Sequence, residues 1–201
     1  AFVIQWGMFI HAWVKKTEKY YDLTGSITYM TVTITSVLIS GNVDFRTILL
    51  MVLVLIWSGR LGTFLYKRIK RAGKDRRFDE IKKSASRFFL TWTIQGLWVS
   101  FTIAAALGAI TSGKRVKFGW VGILGLIVWV VGFLFESIAD YQKKKFTSKP
   151  ENEGKFINVG LWSISRHPNY FGEITMWVGI AIISLPTMES LRYITLISPI
   201  F

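Results

Sequence analysis

The chain has 201 residues, 51% of them apolar, and its 25 Lys and Arg against 12 Asp and Glu give a formal charge of +13. It contains no Cys, which excludes disulfides, Cys-ligated metals and thiol nucleophiles. Its two histidines, His11 and His167, make no recognisable metal spacing, so no metal is expected. The basic stretches also carry few interleaved aromatics, so no nucleic-acid partner is expected.

Apolar and basic residues are segregated along the chain. Apolar runs occupy 1–14, 23–43, 47–66, 88–112, 118–139, 170–188 and 190–201. A helix needs about 20 residues to cross the hydrocarbon core. The middle five runs meet that length, and the first and last are read as spans truncated at the ends of the sequence. The first is not read as a signal peptide, because Lys15 and Lys16 follow its apolar stretch instead of preceding it. The expectation is an all-α, polytopic membrane bundle of six to seven transmembrane helices, with 1–201 as a single membrane domain.

Segments 15–19, 67–87 and 143–166 hold three, ten and six Lys or Arg, whereas the alternate connections hold five: Arg46, Lys114, Arg115, Lys117 and Arg192. This bias places the first set on the cytoplasmic side. A positive-inside bias and attraction to anionic membrane lipids then account for the net charge. Segment 67–87 has Gly73 as a turn point followed by a mixed-charge stretch predicted to be helical. Its basic residues, Arg71 and Arg77 among them, read either as a juxtamembrane surface on lipid or as partners for a cofactor's phosphates. In 136–146, Glu136, Asp140 and Lys144 recur at four-residue steps on one helix face. That pattern fits an ion pair at a helix end, or a carboxylate for ribose hydroxyls beside lysines for phosphates. The connection 147–159, with Pro150 and Gly154, reads as a loop.

Residues 160–173, GLWSISRHPNYFGE, carry the densest chemistry. Proline fixes φ and lacks an N–H, so Pro168 marks a helix start. The free N–H groups of that first turn, the helix dipole and Arg166 together suit a phosphate or another anion. Asn169 and Glu173 are four apart and share a face one turn further down. Three ionisable groups lie in or at the spans, Asp22, Arg60 and Glu173, all at the cytoplasmic end by the topology above. Buried charge is expensive in a membrane, so one shared polar cavity is expected for the three. The cavity should otherwise be apolar and open to the bilayer.

The string at 160–173 resembles the C-terminal signature of the steroid 5-alpha-reductase superfamily, most closely its bacterial and plant-type membrane branch. EKYYDLTGSITY (18–29), WSGRLGTFLYKRIKRAGKDRRF (57–78) and FESIADYQKKKF (135–146) agree in order and spacing. Membrane isoprenylcysteine and phospholipid methyltransferases share the shorter RHP-plus-tyrosine element. The resemblance implies an NADPH-dependent reductase of a carbon–carbon double bond conjugated to a ketone in a lipophilic substrate drawn from the bilayer. By the same resemblance, Asn169 and Asp140 match residues at the cofactor. Arg166, His167 and Tyr170 match the sterol-reductase signature, and Glu173 matches the glutamate after the motif glycine. Asp22 is the nearest counterpart of the family's substrate-binding glutamate, and Trp57 stands where its tyrosine would be. Asp22 and Glu173 are the candidate donors to the substrate carbonyl, Tyr20, Tyr21 and Tyr29 are alternatives, and Arg60 is a charge partner. The alternatives to a reductase are a membrane methyltransferase using S-adenosylmethionine and a lipid-binding protein without turnover.

Overall fold

A computed structural model describes residues 1–41 and 43–201; Asn42, inside the second apolar run, lies outside the described residues. The described residues form seven α-helices, with 3-10 segments between the third and fourth, between the sixth and seventh, and after the seventh, and no strand. They are α1 (Phe2–Val14), α2 (Tyr21–Ser40), α3 (Phe45–Ala72), α4 (Ala85–Thr102), α5 (Ala104–Ile110), α6 (Trp120–Thr147) and α7 (Pro168–Ser184). The chain is a polytopic helical bundle, as the segregated apolar runs predict. It divides into two compact units, Ala1–Gly113 and Lys114–Phe201.

Four helices are long and apolar enough to cross a membrane: α2, α3, α6, and α7 with the turn that extends it to Thr187. The α4 and α5 helices, bent by 53° at their junction, make a fifth if they form one span. Each of the five long apolar runs therefore has its helix. The count of six to seven depended on the two short runs, which differ in kind from the rest. The first is α1, a helix of 13 residues that extends about 20 Å, short of a core about 30 Å thick. The last is an 11-residue 3-10 segment, Ser190–Ile200, with Pro199 inside it.

In the first unit α2 and α3 run antiparallel in close contact. A Cβ on Gly62 would lie 2.6 Å from the Ser26 side chain, and Trp57 meets Tyr29 edge-on at 5.0 Å. The hydroxyls of Thr24, Thr28 and Thr33 donate to carbonyls one turn back in α2, which satisfies them without a partner helix. Gln5 of α1, fully buried, donates to the Thr28 hydroxyl at 3.0 Å. Toward the basic end, Ala12, Phe78, Phe88 and Trp92 form a core on which Met8, Phe9, Tyr21 and Ile81 pack.

Gly73, at φ +78°, ends α3 and returns its N–H to the Ile69 carbonyl. The mixed-charge stretch beyond it is not the predicted helix but two 3-10 turns, Arg76–Phe78 and Ile81–Lys83. Asp75 accepts from the Arg77 N–H, Glu18 accepts from the Asp75 N–H, and Phe78 is buried. These tertiary contacts override a local helix preference.

The second unit is built on the antiparallel pair α6 and α7. A Cβ on Gly125 would lie 2.8 Å from the Gly179 carbonyl, and one on Gly132 would lie 2.6 Å from the Gly172 carbonyl. Two glycines seven residues apart on each helix thus face their counterparts and bring backbone against backbone. Apolar side chains gain little from each other in lipid, so close approach at small residues is what associates such helices.

Candidate functional site

The α6/α7 register carries the signature segment to the carboxylates of α6. The backbone of Glu136 lies against Gly172, so the first turn of α7 sits level with Glu136, and Asp140 lies about one turn beyond it. Both carboxylates are buried, at 2% and 7% exposure. The turn Gly160–Ser163 is pinned to the same stretch of α6. Trp162 donates through Nε1 to the Ala139 carbonyl at 3.0 Å, and the Leu161 N–H donates to Gln142 Oε1 at 2.9 Å. Gly160, at φ +60°, has the Gln142 side chain where a Cβ would stand. The Lys143 ammonium lies 4.8 Å from the Trp162 ring centre.

Pro168 opens α7, as its missing N–H predicts. Arg166 and His167 are exposed, and the His167 ring stacks on the exposed Tyr170 ring at 5.3 Å. Asn169 is half-buried, and its Oδ1 atom is fully buried with no hydrogen-bond partner among the described residues. Glu173 is half-buried one turn further along, and Lys144 is exposed. Within this unit Asp140 therefore lies on α6 about one turn past the level at which α7 begins. Trp162, Gln142 and Lys143, which hold the mouth together, were not picked out in the sequence. Their signal was the aromatic and glycine before the arginine, which reads as loop until α6 is placed beside it.

The first unit holds an ionic cluster. Asp22, at the start of α2, lies 3.4 Å from Arg68 and 3.7 Å from Arg77, with its side chain 15% exposed. Arg77 also forks onto Asp75. The cations beside Asp22 are thus Arg68 and Arg77, whereas Arg60, half-buried, sits two turns earlier in α3, about 12 Å along the axis from Arg68. Arg71 is exposed. Glu18, 4% exposed, accepts from Lys82 at 2.6 Å and from the Asp75 N–H at 3.0 Å. Burial raises the Glu18 pKa, but the Lys82 ammonium and the backbone donors outweigh it and hold the carboxyl below its ordinary value. Asp75 is likewise held low, chiefly by its hydrogen bonds from Arg77. A carboxylate between two guanidiniums acts as an acceptor, and the donors at Asp22 are the arginines. Trp57 is buried, and the Tyr29 ring lies nearly perpendicular to it at 5.0 Å. Among the described residues no three His, Asp or Glu side chains are grouped to hold a metal.

A membrane-embedded helical bundle with a polar mouth at the start of α7 is the class that these features define. The chain belongs to the family described as "Protein of unknown function (DUF1295)", which matches residues 8–201. Over 53 residues it is 40% identical to a protein of Ustilaginoidea virens named "Probable O-methyltransferase ustE". That stretch covers 26% of this chain and 18% of the relative. No solved structure gives a significant match.

Proposed function

We propose that the protein is a membrane reductase that uses NADPH to saturate a carbon–carbon double bond conjugated to a ketone in a lipophilic substrate, steroid-like or another lipid. The observation that carries this reading is Asn169. A buried acceptor without a donor is costly, and Asn169 Oδ1 lies in the first turn of α7, three residues after Arg166, with buried Asp140 on the neighbouring helix. The donor set fits a dinucleotide. Asn169 and Asp140 would accept from ribose or carboxamide donors, and the first-turn N–H groups of α7, Arg166 and Lys144 would hold phosphate oxygens. Tyr170 and His167 offer a stacked aromatic face at the rim.

NADPH would supply the hydride, a protein donor or solvent the proton that completes the saturation, and the protein's part is to hold and orient the reactants. Charge develops on the substrate's carbonyl oxygen, where one aimed donor is worth about 3–4 kcal/mol. Glu173, one turn below Asn169 on α7, is the group we assign to that oxygen. Asp22 is assigned to orient Arg68 and Arg77, and Tyr29 is the alternative donor in the first unit. The four sequence blocks support a place in the steroid 5-alpha-reductase superfamily, and the charge bias supports a mouth facing the cytoplasm, in a bacterial inner membrane or the endoplasmic reticulum.

The fungal relative's name favours a second reading, methyl transfer from S-adenosylmethionine. Thermal stabilisation of the detergent-purified protein by NADPH, NADH and S-adenosylmethionine separates the two. A ligand at 100 times its Kd adds about 2.7 kcal/mol. NADPH is expected to stabilise most, with Arg166→Ala and Asn169→Ala weakening it about tenfold or more, the scale of one charge-assisted hydrogen bond. Stabilisation by S-adenosylmethionine alone sinks the reductase reading. Stabilisation by none of the three leaves the lipid-binding alternative.

A further inference from the structure

The first unit carries a basic cavity beside Asp22, whose two arginine partners, Arg68 and Arg77, also line it. It lies at the cytoplasm-assigned end of α3, has a volume of about 370 Å³, and is lined by Arg68, Ile69, Ala72, Lys74, Asp75, Arg76 and Arg77. We propose that it holds the phosphate of an anionic phospholipid from the surrounding leaflet, with Arg76 and Arg68 as its principal donors.

Depth is the first argument. With 28 residues α3 is about 42 Å long, and the hydrocarbon core takes about 30 Å of that, so its last turns emerge among the headgroups. Charge is the second. Four cations line the cavity against one carboxylate. Three of them already serve neighbouring acids, Arg77 with Asp75 and Asp22, Lys74 with Asp79 at 2.9 Å and Arg68 with Asp22 through one nitrogen at 3.4 Å, which leaves Arg76 as the lining cation without an ion pair among the described residues. The Arg76 side chain is exposed and makes no ion pair or hydrogen bond among the described residues, so its planar fork is open to a phosphate. The C-terminal dipole of α3 opposes an anion with only about half a charge. Ile69 and Ala72 add an apolar wall, which favours a lipid over free phosphate. Basic pockets beside helix ends are where lipid headgroups are recognised.

The test is lipid retention, read by native mass spectrometry on the full chain in mixed micelles of phosphatidylglycerol and phosphatidylcholine. Phosphatidylglycerol is expected to be retained preferentially. Arg76→Gln should reduce that retention about tenfold, the effect of one charge-assisted hydrogen bond, and Arg68→Gln should act in the same direction. Lys155→Gln, an equal charge change on the exposed surface of the other unit, should not. Equal retention of the two lipids overturns the proposal, as does retention indifferent to Arg76→Gln. Displacement of the lipid by millimolar inorganic phosphate assigns the cavity to free phosphate, and displacement by NADPH assigns it to the cofactor. NADPH stabilisation that survives Arg76→Gln keeps this test separate from the reductase reading.

Discussion

Glu18 shows how a single residue shapes the basic end of the first unit. It sits in the short connection between α1 and α2, yet its carboxylate ties down both the Asp75 backbone and Lys82. The two 3-10 turns after α3 are held by these bonds in place of helical ones. Replacing Glu18 by Gln removes a charge-assisted bond worth about 1.5–3 kcal/mol and should lower the thermal midpoint at pH 7. The folded-state pKa lies below the ordinary 4.5. The stabilisation is therefore fully present above about pH 4.5 and fades as the pH falls through the lower folded value. The midpoint gap between wild type and Glu18→Gln should accordingly be constant from pH 8 to 5 and close only in more acid solution. A gap that opens on acidification would remove the ion pair as the cause.

At the scale of elements, the α6/α7 pair sets the geometry of the proposed mouth, because Gly132 against Gly172 fixes the level of Glu136 and Asp140. A side chain at Gly132 meets backbone, which cannot swing aside. Gly132→Ala should therefore cost stability despite the ~1 kcal/mol that alanine gains over glycine in a helix interior. Overpacking of this kind costs about 1–3 kcal/mol. Gly7 in α1 has nothing within 4 Å of a built Cβ, so Gly7→Ala should be neutral or stabilising by about 0.5–1 kcal/mol. Thermal midpoints of the two variants in one detergent decide the matter, and equal shifts would mean that close packing of α6 and α7 does not limit stability. NADPH affinity should fall in Gly132→Ala and stay level in Gly7→Ala.

For the whole molecule the testable quantity is sidedness. Ten Lys and Arg in 67–87 and six in 143–166 predict that both stretches face the cytoplasm. A cysteine at Lys74 and another at Lys149, both exposed positions in a chain without native Cys, should each resist a membrane-impermeant thiol reagent in intact cells and react after lysis. Labelling of either one in intact cells would reverse the orientation of the stretch that carries it.

Composition and run length alone determined the class and the five long helical segments, because a backbone in hydrocarbon must satisfy its own hydrogen bonds and only helices do so locally. Pro168 as a helix start and Gly73 as a helix stop were legible for a similar reason: each restricts φ or the N–H supply at one residue. Asn169, Arg166 and Asp140 were legible as candidates from residue chemistry and motif. The pinning of Trp162 to Ala139, the bend between α4 and α5, the turns after Gly73 and the pairing of Asp22 with Arg68 and Arg77 were not. Each depends on a partner distant along the chain, and an arginine at 60, 68 or 77 carries the same local signal. The register of α2 on α3, set by Ser26 at Gly62, chooses Arg68 over Arg60, and the turn after Gly73 brings in Arg77. The register of α6 on α7 makes the corresponding choice at the mouth. Close contacts between helices are summed over whole faces, and no single stretch of sequence states that sum.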